Sequence, residues 1–104
     1  MQYPKLILFA IPNGGKRGIV EASIMKAEGV LSGVPDLFLA HARIDDDQDA
    51  VQYNGLFLEM KSERGRLTDS QKEIHAALRR ENFAVEVCRS FDEFRASVEN
   101  YLKE

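Results

Sequence analysis

The chain predicts one α/β domain over residues 1–104, a small mixed β-sheet flanked by helices. Three observations predict it. Apolar runs at Leu6–Ile11, Leu37–Ala42, Gly55–Lys61 and Phe83–Cys88 have the length and composition of strands. Segments with helical spacing alternate with them, starting near Gly18, Thr68 and Ser90. The order strand, helix, strand, strand, helix, strand, helix gives both antiparallel and parallel neighbours in one sheet.

Each element has its own local reason. LILFAI, Leu6 to Ile11, is continuously apolar and reads as a strand buried on both faces. Pro12-Asn13-Gly14-Gly15 stops it. Ile19, Val20, Ile24 and Ala27 then form one helical face, which Gly29 can end. Leu37 to Ala42 is the second strand, and Arg43 to Asn54 reads as a polar loop with four aspartates. Gly55 to Lys61 is the third strand, followed by a charged loop, Ser62 to Leu67, that contains Arg64-Gly65-Arg66. Thr68 opens a helix whose Gln71, Ile74, His75 and Leu78 share a face, and Asn82 can close it. Phe83 to Cys88 is the fourth strand. Ser90-Phe91-Asp92-Glu93 is a capping box for a last helix with an apolar stripe of Phe91, Phe94, Val98, Tyr101 and Leu102.

Composition narrows the function. With 44% hydrophobic and 30% charged residues the chain has the make-up of a soluble globular domain. A net charge of −3 excludes a globally basic nucleic-acid coat, so any nucleic-acid contact requires a local basic patch. The single cysteine, Cys88, has no internal partner and lies in an apolar stretch, which suits a core thiol. No apolar run is long enough to cross a bilayer or to serve as a secretory signal, so no membrane association and a cytoplasmic location are expected.

The chemistry centres on Asp36. It follows Pro35 and opens an apolar strand. If the second and third strands pair as an antiparallel hairpin, Asp36 comes opposite Glu59-Met60-Lys61. Alternation points Glu59 and Lys61 to the same face. Two carboxylates about 5 Å apart repel by roughly 3 kcal/mol at an effective dielectric near 20. Lys61 offsets part of this repulsion. A divalent cation offsets more, and oxygen donors, including the Met60 backbone carbonyl as a third, suit Mg²⁺ or Mn²⁺. From geometry alone, a solvated ion-pair cluster at a strand end explains the same residues equally well.

Taken together, the motifs resemble the PD-(D/E)xK nuclease superfamily. They are Gly33-Val34-Pro35-Asp36, Glu59-Met60-Lys61 and the Thr68-x-x-Gln71 helix start. Within it, FAIPNGGKR, KAEGVLSGVPDLFLA, GLFLEMKSERGRLT and the Gln71 helix are similar to the VRR-NUC domain of stand-alone phage and bacterial nucleases, over nearly the whole chain. The resemblance implies a restriction-endonuclease-like fold and Mg²⁺- or Mn²⁺-dependent hydrolysis of DNA phosphodiesters. By position, Asp36 and Glu59 hold the metal, Lys61 orients or activates the water, and Gln71 supports the site. Many relatives carry an acidic residue on an earlier helix, whereas this chain begins almost at its first strand, so that outer metal contact is either missing or taken by Glu21.

The remaining candidates divide as follows. Gln71 serves equally well as the capping-box partner of Thr68. Lys16 and Arg17, in a Gly-rich turn before a helix start, and Arg64 and Arg66, beside the strand of Glu59 and Lys61, are the candidate DNA-backbone contacts. Asp45, Asp46, Asp47 and Asp49 lack the spacing of a calcium loop and read as a hairpin tip. His41 and His75 do not form a zinc cluster, although His75 lies one turn after Gln71. The expected function is a metal-dependent DNA endonuclease acting on branched or otherwise structured DNA, such as four-way junctions, in a bacterial or phage-infected cell. The alternatives are a catalytically incomplete DNA-binding or assembly module and a small interaction domain with a structural ion cluster. A homodimer is expected, because cutting two strands requires two sites. Val30-Leu31 and the end of the last helix near Tyr101 and Leu102 are its candidate surfaces, the latter equally explained as core.

Overall fold

A computed structural model of the protein describes residues 5–12 and 31–103. Lys16, Arg17, Glu21, Val30 and the helix expected from Gly18 lie outside the described residues. A four-stranded mixed sheet has the order β1 (Leu8–Ala10), β2 (Leu37–Leu39), β5 (Leu56–Met60), β6 (Ala84–Cys88). β1 and β2 are antiparallel, as are β2 and β5, while β5 and β6 are parallel. Helix α1 (Asp69–Arg80) connects the parallel pair, as a parallel connection requires. Helix α2 (Phe91–Leu102) follows β6 and packs on β5 and β6.

Register assigns the faces. Leu37 stands opposite Leu58 and Leu39 opposite Leu56, and β6 aligns Ala84 with Leu56 and Cys88 with Met60. These residues share one face. There Leu39, Leu56, Leu58 and Cys88 form the core with Tyr101 and Leu102 of α2. Each fully buried leucine contributes about 1.5–3 kcal/mol. The other face carries Phe9, Phe38 and Phe57, whose rings stack edgewise or tilted across three strands and meet Phe83, and it continues to Glu59.

Several expectations are corrected. The Leu6–Ile11 run is not buried on both faces. Among the described residues its strand is the sheet edge, with Leu8 41% and Phe9 48% exposed. An unbroken apolar run signals a strand but not a central one. The second strand ends at Leu39, three residues early, and the supposed loop after it contains a second sheet, β3 (Arg43–Asp45) with β4 (Ala50–Tyr53). Ile44 and Val51 supply the β-forming side chains there, and the aspartates occupy the tip, where Asp49 adopts a positive φ of 50°. Tyr101 and Leu102 belong to the core and offer no interface surface, whereas Phe91, read as part of the apolar stripe, is 71% exposed. It lies in the first turn of α2, where its ring meets only that of Phe94 among the described aromatic contacts.

Candidate active site

Asp36 is one step beyond the Leu37–Leu58 pair, so the register sets it opposite Glu59 on the Phe38–Phe57 face. Pro35 has no N–H to continue the ladder. Where the ladder stops, the Asp36 carboxylate accepts instead: Met60 N–H donates to its Oδ2 at 2.7 Å. On the other flank, Ile11 N–H donates to the Asp36 carbonyl at 2.7 Å. An acid after proline thus closes the strand pair through its side chain and is held from both neighbours. The preceding turn is fixed by Gly33, whose φ is +90° and where a Cβ would stand 2.6 Å from Ser70 O at the start of α1. Only glycine permits both that backbone and that approach.

Glu59 is 2% exposed. Burial pushes its carboxyl up to about 8, helped by the hydrogen bond and negative charge of Asp36 and opposed by Lys61. At neutral pH the Glu59 carboxyl therefore holds a proton. From α1, His75 Nε2 lies 3.0 Å from Glu59 Oε1. His75 is 1% exposed, and its pKa is lowered, first by burial and then by the charges of Arg79 and Lys61. The ring is therefore neutral at pH 7. The contact is a hydrogen bond between neutral groups rather than an ion pair. His75 Nδ1 is buried without a hydrogen-bond partner among the described residues.

Lys61 continues β5 on the Glu59 face, and its N–H donates to Cys88 O at 2.9 Å. Its charge acts on both Glu59 and His75, so it stands within electrostatic reach of the pair. The loop after it presents Arg64 and Arg66 to solvent. Arg89 pins that loop by donating from its guanidinium to Ser62 O at 3.0 Å and Gly65 O at 2.5 Å.

Gln71 occupies the capping position. Its Oε1 accepts from Thr68 N–H at 2.9 Å, and its own N–H donates to Thr68 Oγ1 at 3.1 Å. One amide oxygen held at the helix start is not at Glu59, and the side chain from α1 that meets Glu59 is His75, one turn on. The Gln71-to-His75 spacing on one helical face was the sequence signal for it. Nothing in the sequence marked Arg89, or Arg43, which donates to Asn100 O, Tyr101 O and Lys103 O at the end of α2.

The donor set suits a hard cation. The Asp36 and Glu59 carboxyls and the Met60 carbonyl are its oxygens, and the proton that burial keeps on Glu59 is what a bound cation would displace. Among the described residues, no group of three or more His, Cys, Asp or Glu could hold a metal ion. A cleft of about 730 Å³ lies on the opposite, α2 face, lined by Arg43, Gln52, Glu86, Ser97 and Asn100, and does not reach the carboxyls.

The family model of the VRR-NUC domain matches residues 2–92. A solved structure described as a VRR_NUC domain protein aligns with a TM-score of 0.72 and 27% identity, covering 91% of this chain. The chain spans 66% of that protein's length. No curated protein matches.

Proposed function

Because this chain belongs to the VRR-NUC domain family, we propose that it is a divalent-metal-dependent nuclease that hydrolyses DNA phosphodiester bonds. The observation that carries this reading is the pairing of Asp36 with Glu59, kept protonated first by burial and then by Asp36, two residues before Lys61 on the same strand face. Two acids held together on a sheet rim are costly unless a cation joins them. Asp36 and Glu59 would hold Mg²⁺ or Mn²⁺, with the Met60 carbonyl as a further oxygen. When bound, the ion would polarise the phosphate and lower the pKa of a water.

The chain's own residues do the rest. Asp36 and Glu59 fix the donor geometry, since both are anchored by hydrogen bonds to rigid elements. Lys61 presents its ammonium beside them and stabilises charge developing on the phosphate or orients the attacking water. Arg64 and Arg66, on the loop that Arg89 pins, contact the DNA backbone. The substrate in this reading is branched or structured DNA, and the working form is a homodimer with two sites related by two-fold symmetry. Leu31, 56% exposed, is its candidate contact among the described residues. The cytoplasm is the expected location.

A second reading has one observation in its favour. Among the described residues the side-chain donors number only Asp36 and Glu59, which suits a module that binds DNA without cutting it. One experiment separates the two. Purified protein is incubated with plasmid, single-stranded and four-way-junction DNA in Mg²⁺, Mn²⁺ or EDTA. Cleavage that requires metal and is lost in Asp36→Ala supports the nuclease. DNA binding with no cleavage in either metal supports the second reading. Light scattering at micromolar concentration tests the dimer, and a monomer mass that persists on DNA would refute it.

A further inference from the structure

We propose that His75 is a positioning residue for the metal-binding carboxylate, its Nε2–H holding one oxygen of Glu59 so that the other remains the metal donor. The inference rests on the metal-site reading above.

Position 75 belongs to the apolar face of α1, shared with Ile74 and Leu78. Packing alone is met there by leucine or methionine. The chain instead buries an imidazole, and that choice has a cost: Nδ1 loses water and gains no partner among the described residues. The return is at the other nitrogen, 3.0 Å from Glu59 Oε1. With Nδ1 unbonded, the proton is best placed on Nε2, where it can be donated. A donor at that point serves Glu59 when it is a ligand and must be ionised.

The rest of α1 makes the contact rigid. The Thr68–Gln71 box fixes the first turn. At the other end Asn82, with φ 66°, donates to Arg79 O while Phe83 N–H donates to Leu78 O, a Schellman ending. Arg79 donates to Val85 O at 2.9 Å and ties the helix to β6. Gly33 brings the loop before Asp36 against Ser70. Helix, carboxylate pair and Asp36 loop are therefore one braced unit. Hydrogen bonds of this kind orient metal ligands, and their loss typically weakens metal affinity by about 10–100-fold.

The test measures Mn²⁺ affinity of the purified protein without DNA, by calorimetric titration, beside metal-free thermal unfolding. His75→Leu should weaken Mn²⁺ binding by about 10–100-fold, more than the loss of the Glu59 hydrogen bond lowers metal-free stability. His75→Gln, which keeps an N–H donor near the Nε2 position, should recover most of the affinity. His75→Met provides a second apolar variant if the leucine fails to fold. Mn²⁺ affinity unchanged in a folded apolar variant overturns the inference. So does a loss that tracks metal-free destabilisation and is not recovered by glutamine. Asp36→Ala separates this failure from that of the metal site. Wild-type binding that Asp36→Ala abolishes but His75→Leu leaves intact overturns the His75 role alone, whereas no Mn²⁺ binding by wild type overturns both.

Discussion

Replacing Glu59 by glutamine isolates the buried proton. Glutamine keeps the shape of the protonated acid and cannot ionise. In the metal-free protein Glu59 is pushed up to about 8 from an ordinary 4.5, by burial first and Asp36 second. A raised folded pKa means that the native state binds the proton more tightly than the unfolded chain. Its stabilisation is complete below pH 4.5 and is lost as pH rises through 8. At about 1.36 kcal/mol per pKa unit, the part lost between about pH 6.5 and pH 9 comes to about 2 kcal/mol. His75 acts in the opposite sense: its lowered pKa makes its contribution present above 6.5 and lost below. That contribution, like those of Cys88 and Tyr101, is common to both proteins and cancels in the difference. Urea unfolding in chelator across this range should show wild type losing about 2 kcal/mol relative to Glu59→Gln. Adding Mn²⁺ at about a hundred times its Kd should restore about 2.7 kcal/mol to wild type only. Parallel pH curves for the two proteins would refute the placement of the proton on Glu59.

Three further outcomes follow from the same geometry. Lys61→Ala should lower the single-turnover cleavage rate by about 100-fold and change DNA affinity by less than about 3-fold, and the reverse pattern in rate and binding assays would make Lys61 a phosphate anchor. Arg64→Ala and Arg66→Ala should each reduce the slope of log affinity against log salt on duplex DNA by about 0.9 without altering metal binding, as fluorescence titrations at several salt concentrations will show. Gly33→Ala should destabilise by about 2 kcal/mol or more in urea, since it adds a left-handed backbone penalty to a close contact with Ser70, and equal stability would mean that the α1 start yields to it.

The part of the site that was legible is the part set by local rules. Proline stops a ladder, the acid after it faces the next strand's end, and alternation fixes which side chains share a face. Asp36, Glu59 and Lys61 could therefore be brought together from spacing alone, and the Leu37–Leu58 register has the same sense. Strand composition likewise marked all four sheet segments, but not that the first is an edge, because edge and centre differ in neighbours rather than in the strand's own residues. The β3–β4 hairpin was hidden by its aspartates, which set the local composition while Ile44, Val51 and Tyr53 set the pairing.

Gln71 and His75 show where local rules stop. A Thr-x-x-Gln start satisfies the cap whatever the helix packs on, so its pattern carries no information about the site, and the amide is in fact used at the cap. What meets Glu59 depends on how α1 docks on the sheet. That docking is set by contacts distant in sequence: Gly33 against Ser70, Arg79 on Val85 O, and Arg89 on the loop carrying Arg64 and Arg66. These bonds join charged or small residues to backbone carbonyls, which every residue offers, so no side-chain pattern announces them. Asp36 and Glu59 are placed by strand rules, and the side chain that meets Glu59 is placed by helix docking. Substitutions at Gly33 and His75 should therefore affect Glu59 although neither is adjacent to it in sequence, and metal titration of each will show whether the two contacts act through the same helix.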